Sequence, residues 1–459
     1  MVEHSSFTAG LALILWVPVS YLAYARYRPA KAACLLALGA TMLLPERMEF
    51  DPPLLPPFNK HTVSASASLL SCLILRRGAL RFRPGGIVWT TIALLVIGAL
   101  GTALTNSNPI FTGGERRPGL TFHDAIGMVV SDTLRVFTPF VLGASLVRTR
   151  NDLRFLMRAF AMAGLLYSLL MLVEIRLSPQ LHTWVYGFHQ HSFAQAMRGE
   201  GFRPTVFMQH GLAVALFTVL AIVASTSWAR VNPALWRIPS KLVPPYLLTV
   251  LILAKSLAAT VYAAIFLPLV AFLHPKRQLL VAALLVSFVL AYPLLRLSGS
   301  IDTQRILAAV GSFADADRLG SLQFRFANED ILLGIASRRL LFGWGGYGRS
   351  RFSTVEKQRV VTDGHWIIVL GSRGLFGYYG GMGLLALPVL FAFARRKLRR
   401  DPCDSILLGS IATMLGVIML DLLPNGMLFD LGYFLAGALL TCCRTLAGAK
   451  EGGTRNLAS

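Results

Sequence analysis

Basic side chains stand next to or within long apolar runs of this chain, where a charge needs a specific partner. Arg198 and Arg203 precede one such run, and Lys255 interrupts another. A charge inside hydrocarbon is costly, so residues of this kind usually face a cavity, a partner or a substrate. Guanidinium forks match phosphate oxygens, which predicts a phosphate or pyrophosphate site. The candidates for holding it are Arg198, Arg203, His210, Lys255, Arg318 and Arg373.

Three further residues are candidates for catalysis. Asp363 and His365 begin an apolar run, and either side chain could position or deprotonate a hydroxyl nucleophile there. Asp363 could equally cap the start of a helix. Arg325 lies in the long polar segment before them and could stabilise negative charge. A glycine-rich stretch, residues 343–348, falls between them and permits a tight turn.

The elements that must position these residues are predicted to be membrane-spanning helices. Of the 459 residues, 55% are hydrophobic and only 14% are charged, whereas a soluble protein has about a quarter charged. Many apolar runs approach the roughly 20 residues that a helical span requires. They are too long and too uniformly apolar for the alternating strands of a barrel. The sequence therefore predicts an all-α, polytopic integral membrane protein.

About 12–13 transmembrane helices are predicted from the lengths of these runs, within one transmembrane domain over residues 1–459. Residues 245–273 could be one bent helix or two short ones. Residues 297–364 form a long loop in which Leu322, Phe326 and Leu333 recur at helical spacing and indicate an amphipathic helix on the outer leaflet. The candidate spans are 7–25, 31–45, 61–75, 86–105, 123–147, 154–175, 206–226, 245–254, 257–273, 279–296, 365–394, 405–422 and 427–444.

The net charge of +22 is distributed in a way that argues against nucleic acid as a partner. Most clusters of Lys and Arg abut alternate ends of the predicted spans, which is the positive-inside pattern. This pattern places the N-terminus outside and the C-terminus in the cytoplasm. Asp132 and Arg135 are expected to form an ion pair within one span, and Glu174 and Asp421 to be solvated caps at span ends.

Several kinds of active site have no signature in the sequence. No P-loop, HExxH or GxSxG motif occurs, and the five cysteines suggest neither disulfides nor a zinc site. Carboxylates are few in the predicted outer loops, so a DxD-type metal centre is not evident. We therefore expect no metal and no cofactor, and a reaction driven by an activated leaving group with arginines in place of a metal.

The order of motifs over residues 195–395 resembles that of the O-antigen ligase and polysaccharide polymerase superfamily, and most closely its exopolysaccharide polymerases. The resemblance is carried by Arg198 and Arg203 before a span, by Ala254-Lys255-Ser256 at a break, and by Asp363-Gly364 eleven residues before Gly374-Leu375-Phe376-Gly377. The family commonly has His-Asn or Asp-Asn at the third motif and Ser-Arg at the second. Either Asp363 or His365 could therefore be the base.

The resemblance implies a GT-C-like fold and metal-independent glycosyl transfer on the periplasmic face of the bacterial inner membrane. The implied donor is a glycan on undecaprenyl pyrophosphate, held by Arg198, Arg203 and Arg325. Membrane lipid and other polysaccharide export proteins are the implied partners. One alternative is a ligase that moves finished glycan onto lipid A core or another acceptor. Another is a flippase or transporter, with Asp132, Arg135 and Lys255 lining a path.

Overall fold

A computed structural model describes residues 6–51, 57–112, 115–198, 201–311, 316–351, 363–397 and 401–446, without the side chains of 112, 310 and 316–318. Within these residues the chain is mostly helical, which confirms the predicted helical class. The helices are α1 (Phe7–Arg26), α2 (Pro29–Leu43), α3 (Lys60–Arg76), α4 (Gly86–Thr105), α5 (Phe122–Asp132), α6 (Thr138–Leu146), α7 (Arg150–Leu177), α8 (Leu181–Tyr186), α9 (Gly211–Val231), α10 (Val243–Leu253), α11 (Leu257–Phe272), α12 (Pro275–Leu297), α13 (Thr303–Gly311), α14 (Ala316–Ser337), α15 (His365–Ala394), α16 (Pro402–Asp421) and α17 (Leu431–Thr445).

Eight of the described helical segments are long and apolar enough to cross a membrane: α1, α4, α5 with α6, α7, α9, α12, α15 and α16. Four shorter apolar helices correspond to α2, α10, α11 and α17. This is compatible with a polytopic membrane protein. Each predicted span coincides with a helix, but α3 belongs to neither group, because Lys60, His61 and several hydroxyl residues lower its hydropathy.

The remaining elements are short. A π-helical turn, Thr133–Phe137, joins α5 to α6. Four two-stranded antiparallel sheets lie in connections between helices, and the third of them approaches the candidate site described below. The strands are β1 (Glu49–Phe50), β2 (Phe58–Asn59), β3 (Ile110–Thr112), β4 (Glu115–Arg117), β5 (Met197–Arg198), β6 (Gly201–Phe202), β7 (Ala234–Leu235) and β8 (Ile238–Pro239).

Residues 245–273 fold as two helices rather than as one bent helix. Helix α10 ends at Leu253 and α11 begins at Leu257. Between them Lys255 has φ +53°, a left-handed conformation that costs energy for a residue that carries a Cβ atom. Since both helices pack against α9, the break between them brings Lys255 next to the start of that helix.

The predicted amphipathic helix is present as α14. Its buried side chains include Leu332, Leu333 and Ala336, whereas Phe324 is more than half exposed. The buried side packs against α15, so this side contacts protein. Arg318 belongs to α14, but its side chain lies outside the described part of the structure.

Close contacts between helices are made where glycine leaves room. A Cβ at Gly143 of α6 would lie 2.0 Å from the carbonyl oxygen of Phe434, and one at Gly437 of α17 would lie 2.1 Å from that of Phe140. Small residues at both positions let the two backbones approach, as is common between membrane helices. The pair α6 and α17 therefore forms a tightly packed part of the frame that carries the site.

Candidate functional site

A cavity of ≈ 1140 Å³ lies where the β5–β6 hairpin, the start of α9, the α10–α11 break, α14 and the start of α15 meet. The segment between α16 and α17 completes its wall. Six of the nine predicted site residues line it, although they come from five separate parts of the chain: Arg198, Arg203, His210, Lys255, Arg325 and Asp363. With Arg351, which also lines the cavity, five basic side chains face one carboxylate.

Arg203 is the most buried of these cations, with 8% of its surface exposed. One terminal nitrogen donates to the carbonyl oxygen of Lys255 at 3.1 Å, while its Nε makes no hydrogen bond to any described residue. Burial, aided by the charge of Arg198, lowers the pKa of Arg203 to about 10, so the group remains a cation at neutral pH. A buried donor without a partner carries an energetic penalty.

Lys255 connects the helix break to the hairpin. Its ammonium donates to the carbonyl oxygen of Arg198 at 3.0 Å. A Cβ at Gly201 would lie only 2.7 Å from that nitrogen, so glycine there makes room for the amine. Strained backbone persists where the surroundings impose it, often at functional sites, and the left-handed Lys255 is held here by bonds on both its carbonyl oxygen and its amine.

The wall that carries Arg203 is supported from behind by Glu174 of α7. Its carboxylate accepts hydrogen bonds from the backbone N–H groups of Thr205 and Val206, both at 2.8 Å, and of Leu181 at 3.0 Å. Glu174 is 0% exposed. The expectation of a solvated cap is therefore wrong, because three backbone donors take the place of water around this carboxylate.

Arg325 and Asp363 form an ion pair at the cavity, with 3.4 Å between Nε and Oδ2. Both side chains are more than a third exposed, so solvent screens the pair and its own contribution to stability is small. The pairing orients the carboxylate that was predicted to act on a hydroxyl. It also brings together residues from α14 and from the start of α15.

His210 is the N-cap residue of α9, and its Nδ1 accepts the N–H of Leu212 at 3.1 Å. Nδ1 is thereby an acceptor, so in the neutral ring the hydrogen is on Nε2. Burial, together with the charge that His191 and Arg203 would present, lowers the pKa of His210 to about 4. At neutral pH His210 is thus a neutral hydrogen-bond donor at the cavity, and its ring lies 4.7 Å from that of His191.

Two other predicted residues lie elsewhere. His365 is the first residue of α15, donates its backbone N–H to the carbonyl oxygen of Asn425 at 3.0 Å, and does not line the cavity. Arg373 also lies outside the cavity lining and pairs with Asp132 at 3.4 Å. The structure does not bring His365 or Arg373 to the site with the other six, and the side chain of Arg318 lies outside the described residues. The roles of these three residues stay predictions.

A second, buried group of charges was missed in the sequence. Lys60 binds Glu46 at 2.8 Å, and His61 pairs with Asp430. Although burial opposes ionisation, Lys60 and His61 hold the pKa of Glu46 below its ordinary value. These residues line a smaller cavity of ≈ 90 Å³. The Asn59 capping box could have predicted the start of α3, but not these pairings.

Arg135 pairs with the same Asp430 at 3.6 Å, instead of with Asp132. The predicted ion pair between Asp132 and Arg135 is therefore wrong. Each has a partner on another part of the fold, Arg373 for the first and Asp430 for the second. Spacing along one helix could not reveal those partners.

The glycine-rich stretch lies apart from the large cavity and surrounds a buried arginine. Arg349 is 2% exposed and donates to the carbonyl oxygens of Trp344 and Asn108 at 3.1 Å and of Pro118 at 2.6 Å. Gly343 has φ +68°, and a Cβ there would lie 2.6 Å from the backbone nitrogen of Arg373. This stretch therefore ties the α4–α5 connection to α15, and none of residues 343–348 lines the cavity.

Among the residues that the structure describes, no group of three or more His, Cys, Asp or Glu side chains is placed to hold a metal ion. The chain matches no family model, and no curated protein matches it.

Proposed function

We propose that the protein is a glycosyltransferase that acts on a glycan linked to a polyprenyl pyrophosphate, on the periplasmic face of the bacterial inner membrane. The observation that carries this proposal is the meeting of Arg198, Arg203, Lys255 and the Arg325–Asp363 pair at one cavity. Cations that arrive from separate elements suit a diphosphate, since guanidinium and ammonium donors match its oxygens.

In the proposed reaction the oxygen of an acceptor hydroxyl attacks the anomeric carbon of the donor sugar. The bond from that carbon to the pyrophosphate oxygen breaks, and polyprenyl pyrophosphate leaves with the electron pair. Arg198 and Arg203 stabilise the negative charge that builds on the leaving oxygen. Asp363 accepts the hydroxyl proton, and Arg325 orients the carboxylate of Asp363. The neutral His210 donates a hydrogen bond to the substrate.

The products we propose are exopolysaccharide chains built by repeated transfer. A ligase would use the same donor chemistry and a different acceptor. The two differ in what is made from a single lipid-linked repeat unit: a polymerase gives a ladder of lengths, whereas a ligase gives one transfer onto another acceptor.

The flippase hypothesis relied on Asp132, Arg135 and Lys255 as charges along a path. Two of these form ion pairs with Arg373 and Asp430, and Lys255 faces the cavity. The ion pairs account for Asp132 and Arg135 without a path, which removes two of the three charges that supported transport.

The test uses the full-length protein in liposomes with a polyprenyl-pyrophosphate-linked repeat unit. We expect Asp363→Asn to reduce the transfer rate by roughly 100- to 10,000-fold, the range for loss of a general base. Asp302→Asn is the matched control, because Asp302 is a partly exposed carboxylate in the same long connection, paired with Arg305. Unchanged transfer by Asp363→Asn, or donor consumption without any new glycosidic bond, would overturn the proposal.

A further inference from the structure

A buried carboxylate lies beneath the Arg325–Asp363 pair, and the reaction described above does not use it. Glu329 is four residues after Arg325 on α14, and is 9% exposed. Residues at this spacing share one side of a helix. Arg325 therefore reaches the cavity from the same side of α14 that buries Glu329.

Glu329 joins α14 to the helix that follows Asp363. Its Oε1 accepts a hydrogen bond from the indole nitrogen of Trp366 at 3.2 Å, and Trp366 is fully buried. Its Oε2 is buried without a hydrogen bond to any described residue. The contact between Glu329 and Trp366 thus lies one helical turn along α14 from the Arg325–Asp363 pair.

The charged and titratable groups around Glu329 come from α12, from α14 and from the residues just before α15. From α12, Arg296 lies 3.6 Å from its Oε2, and Tyr292 is close by. From α14, Asp330 takes the closer contact with Arg296, at 2.8 Å. Asp363 adds a second negative charge from the start of α15.

We propose that Glu329 is a positioning residue that docks α14 onto α15, holds Arg325 against Asp363, and releases α14 when its carboxyl ionises. The inference deepens the proposed function, because its consequence for transfer rests on the roles of Arg325 and Asp363. The docking itself is a property of the fold and can be measured without substrate.

The direction of the pH effect follows from linkage. Burial raises the pKa of Glu329 to about 7, against the opposing effects of Trp366 and Arg296. On a released helix the pKa would return to its ordinary value of 4.5. The docked helix therefore binds the proton more tightly, so docking is strongest at low pH and weakens as pH rises through the window between these two values. From pH 5 to pH 8 the docking constant should fall by roughly a hundredfold.

The experiment is hydrogen exchange of the α14 backbone in the purified full-length protein, corrected for the intrinsic pH dependence of exchange. In the wild type, protection of residues 319–337 should fall by up to roughly a hundredfold between pH 5 and pH 8. Glu329→Gln keeps an acceptor for Trp366 and cannot ionise, so its protection should stay constant. Asp302→Asn, the charge-matched control, should behave as the wild type.

Two results would overturn the proposal: constant protection of α14 in the wild type, or the same pH profile in Glu329→Gln. Trp366→Phe provides a second variant if Glu329→Gln does not fold. Losing the indole donor should lower the protection of α14 at pH 5 and move the midpoint of its pH profile to higher pH, and a variant in which neither changes would also contradict the proposal.

Transfer assays separate this inference from the proposed function. If both hold, the ratio of Glu329→Gln to wild-type transfer rates should rise from near unity at pH 5 as pH increases to 8. If α14 shows the expected exchange profile but the protein has no transfer activity, the proposed function is refuted and the docking role stands. Transfer with a pH-independent ratio would refute the docking role alone.

Discussion

Arg203 and Arg349 are both buried arginines, but their donors are used differently. Arg349 directs its donors at fixed carbonyl oxygens of the glycine-rich stretch and the α4–α5 connection. Arg203 spends one donor on Lys255, leaves its Nε without a partner among the described residues, and lines the large cavity. A guanidinium whose donors the fold has paired supports structure, whereas one that lines a cavity and makes a single hydrogen bond to the described residues is suited to bind a ligand.

The strongest effect is expected from the cavity arginine. Arg203→Ala should reduce transfer by roughly 100- to 1,000-fold, the cost of losing one donor to developing charge, while the thermal midpoint changes little. The measurement pairs initial rates in liposomes with thermal unfolding in detergent. Arg305→Ala is the control, because Arg305 is 89% exposed and lies away from the cavity. An equal loss of transfer in Arg203→Ala and Arg305→Ala would show that the effect is not specific to the cavity.

The opposite pattern is expected from Arg349→Ala. Removing this side chain leaves several buried carbonyl oxygens without a donor, which should cost about 3 kcal/mol of stability. The thermal midpoint and the yield of folded protein should fall, and the transfer rate per folded molecule should hold. A folded Arg349→Ala protein with the activity loss of Arg203→Ala would erase the distinction between the two arginines.

His210 provides a neutral side chain for comparison with the cations. His210→Ala should lose about tenfold in transfer and about 1 kcal/mol of stability, because it removes a donor at the cavity and the N-cap of α9. His210→Asn should recover the stability, since Asn caps helices well, and recover little transfer. Since its pKa is about 4, protonation of His210 should leave no inflection in the pH profile between pH 5.5 and pH 8. An inflection in the wild type that disappears in His210→Asn would contradict the neutral assignment.

The smallest effect concerns two residues with left-handed backbone. Lys255 has φ +53° and Tyr347 in the glycine-rich stretch has φ +56°. Lys255→Gly relieves strain of about 1 kcal/mol but removes the hydrogen bond to the carbonyl oxygen of Arg198, so its thermal midpoint should stay near that of the wild type while transfer is lost. Tyr347→Gly relieves the same strain but removes a hydrogen bond to Asp124 of 2.7 Å, so its midpoint should stay near the wild type with transfer unchanged. Comparing midpoints and rates of both variants checks this, and faster transfer by Lys255→Gly would remove Lys255 from the site.

The helices could be predicted well from the sequence because hydropathy acts over twenty residues at a time. For residues 245–273 the sequence allows one bent helix or two short ones, because Lys255 interrupts the apolar run. The structure has the second, with α10 and α11 as separate helices. Hydropathy is less informative for α3, which is a helix as predicted but is only moderately apolar because it contains several hydroxyl residues.

The cations of the cavity could be predicted because a positive charge near lipid is unfavourable unless a partner stabilises it. The sequence alone does not reveal whether that partner is a carboxylate of the protein or a ligand. Arg373 was grouped with the cavity cations, yet its partner is Asp132. The roles of Glu174 and Glu329 depend on backbone and indole donors far away in the chain, and such pairings leave no periodic trace in a single sequence.

One consequence follows from the carboxylate of Glu174. Because this carboxylate accepts hydrogen bonds from the backbone of Thr205 and Val206, the backbone path of the cavity wall before α9 is fixed independently of the side chains that it carries. Two neighbours that also line the cavity, the exposed Gln209 and the half-buried Leu212, can be exchanged while the backbone keeps its path. If the proposed glycosyl transfer holds, substitutions at these two positions should change the preference for the sugar while the backbone of this wall stays the same.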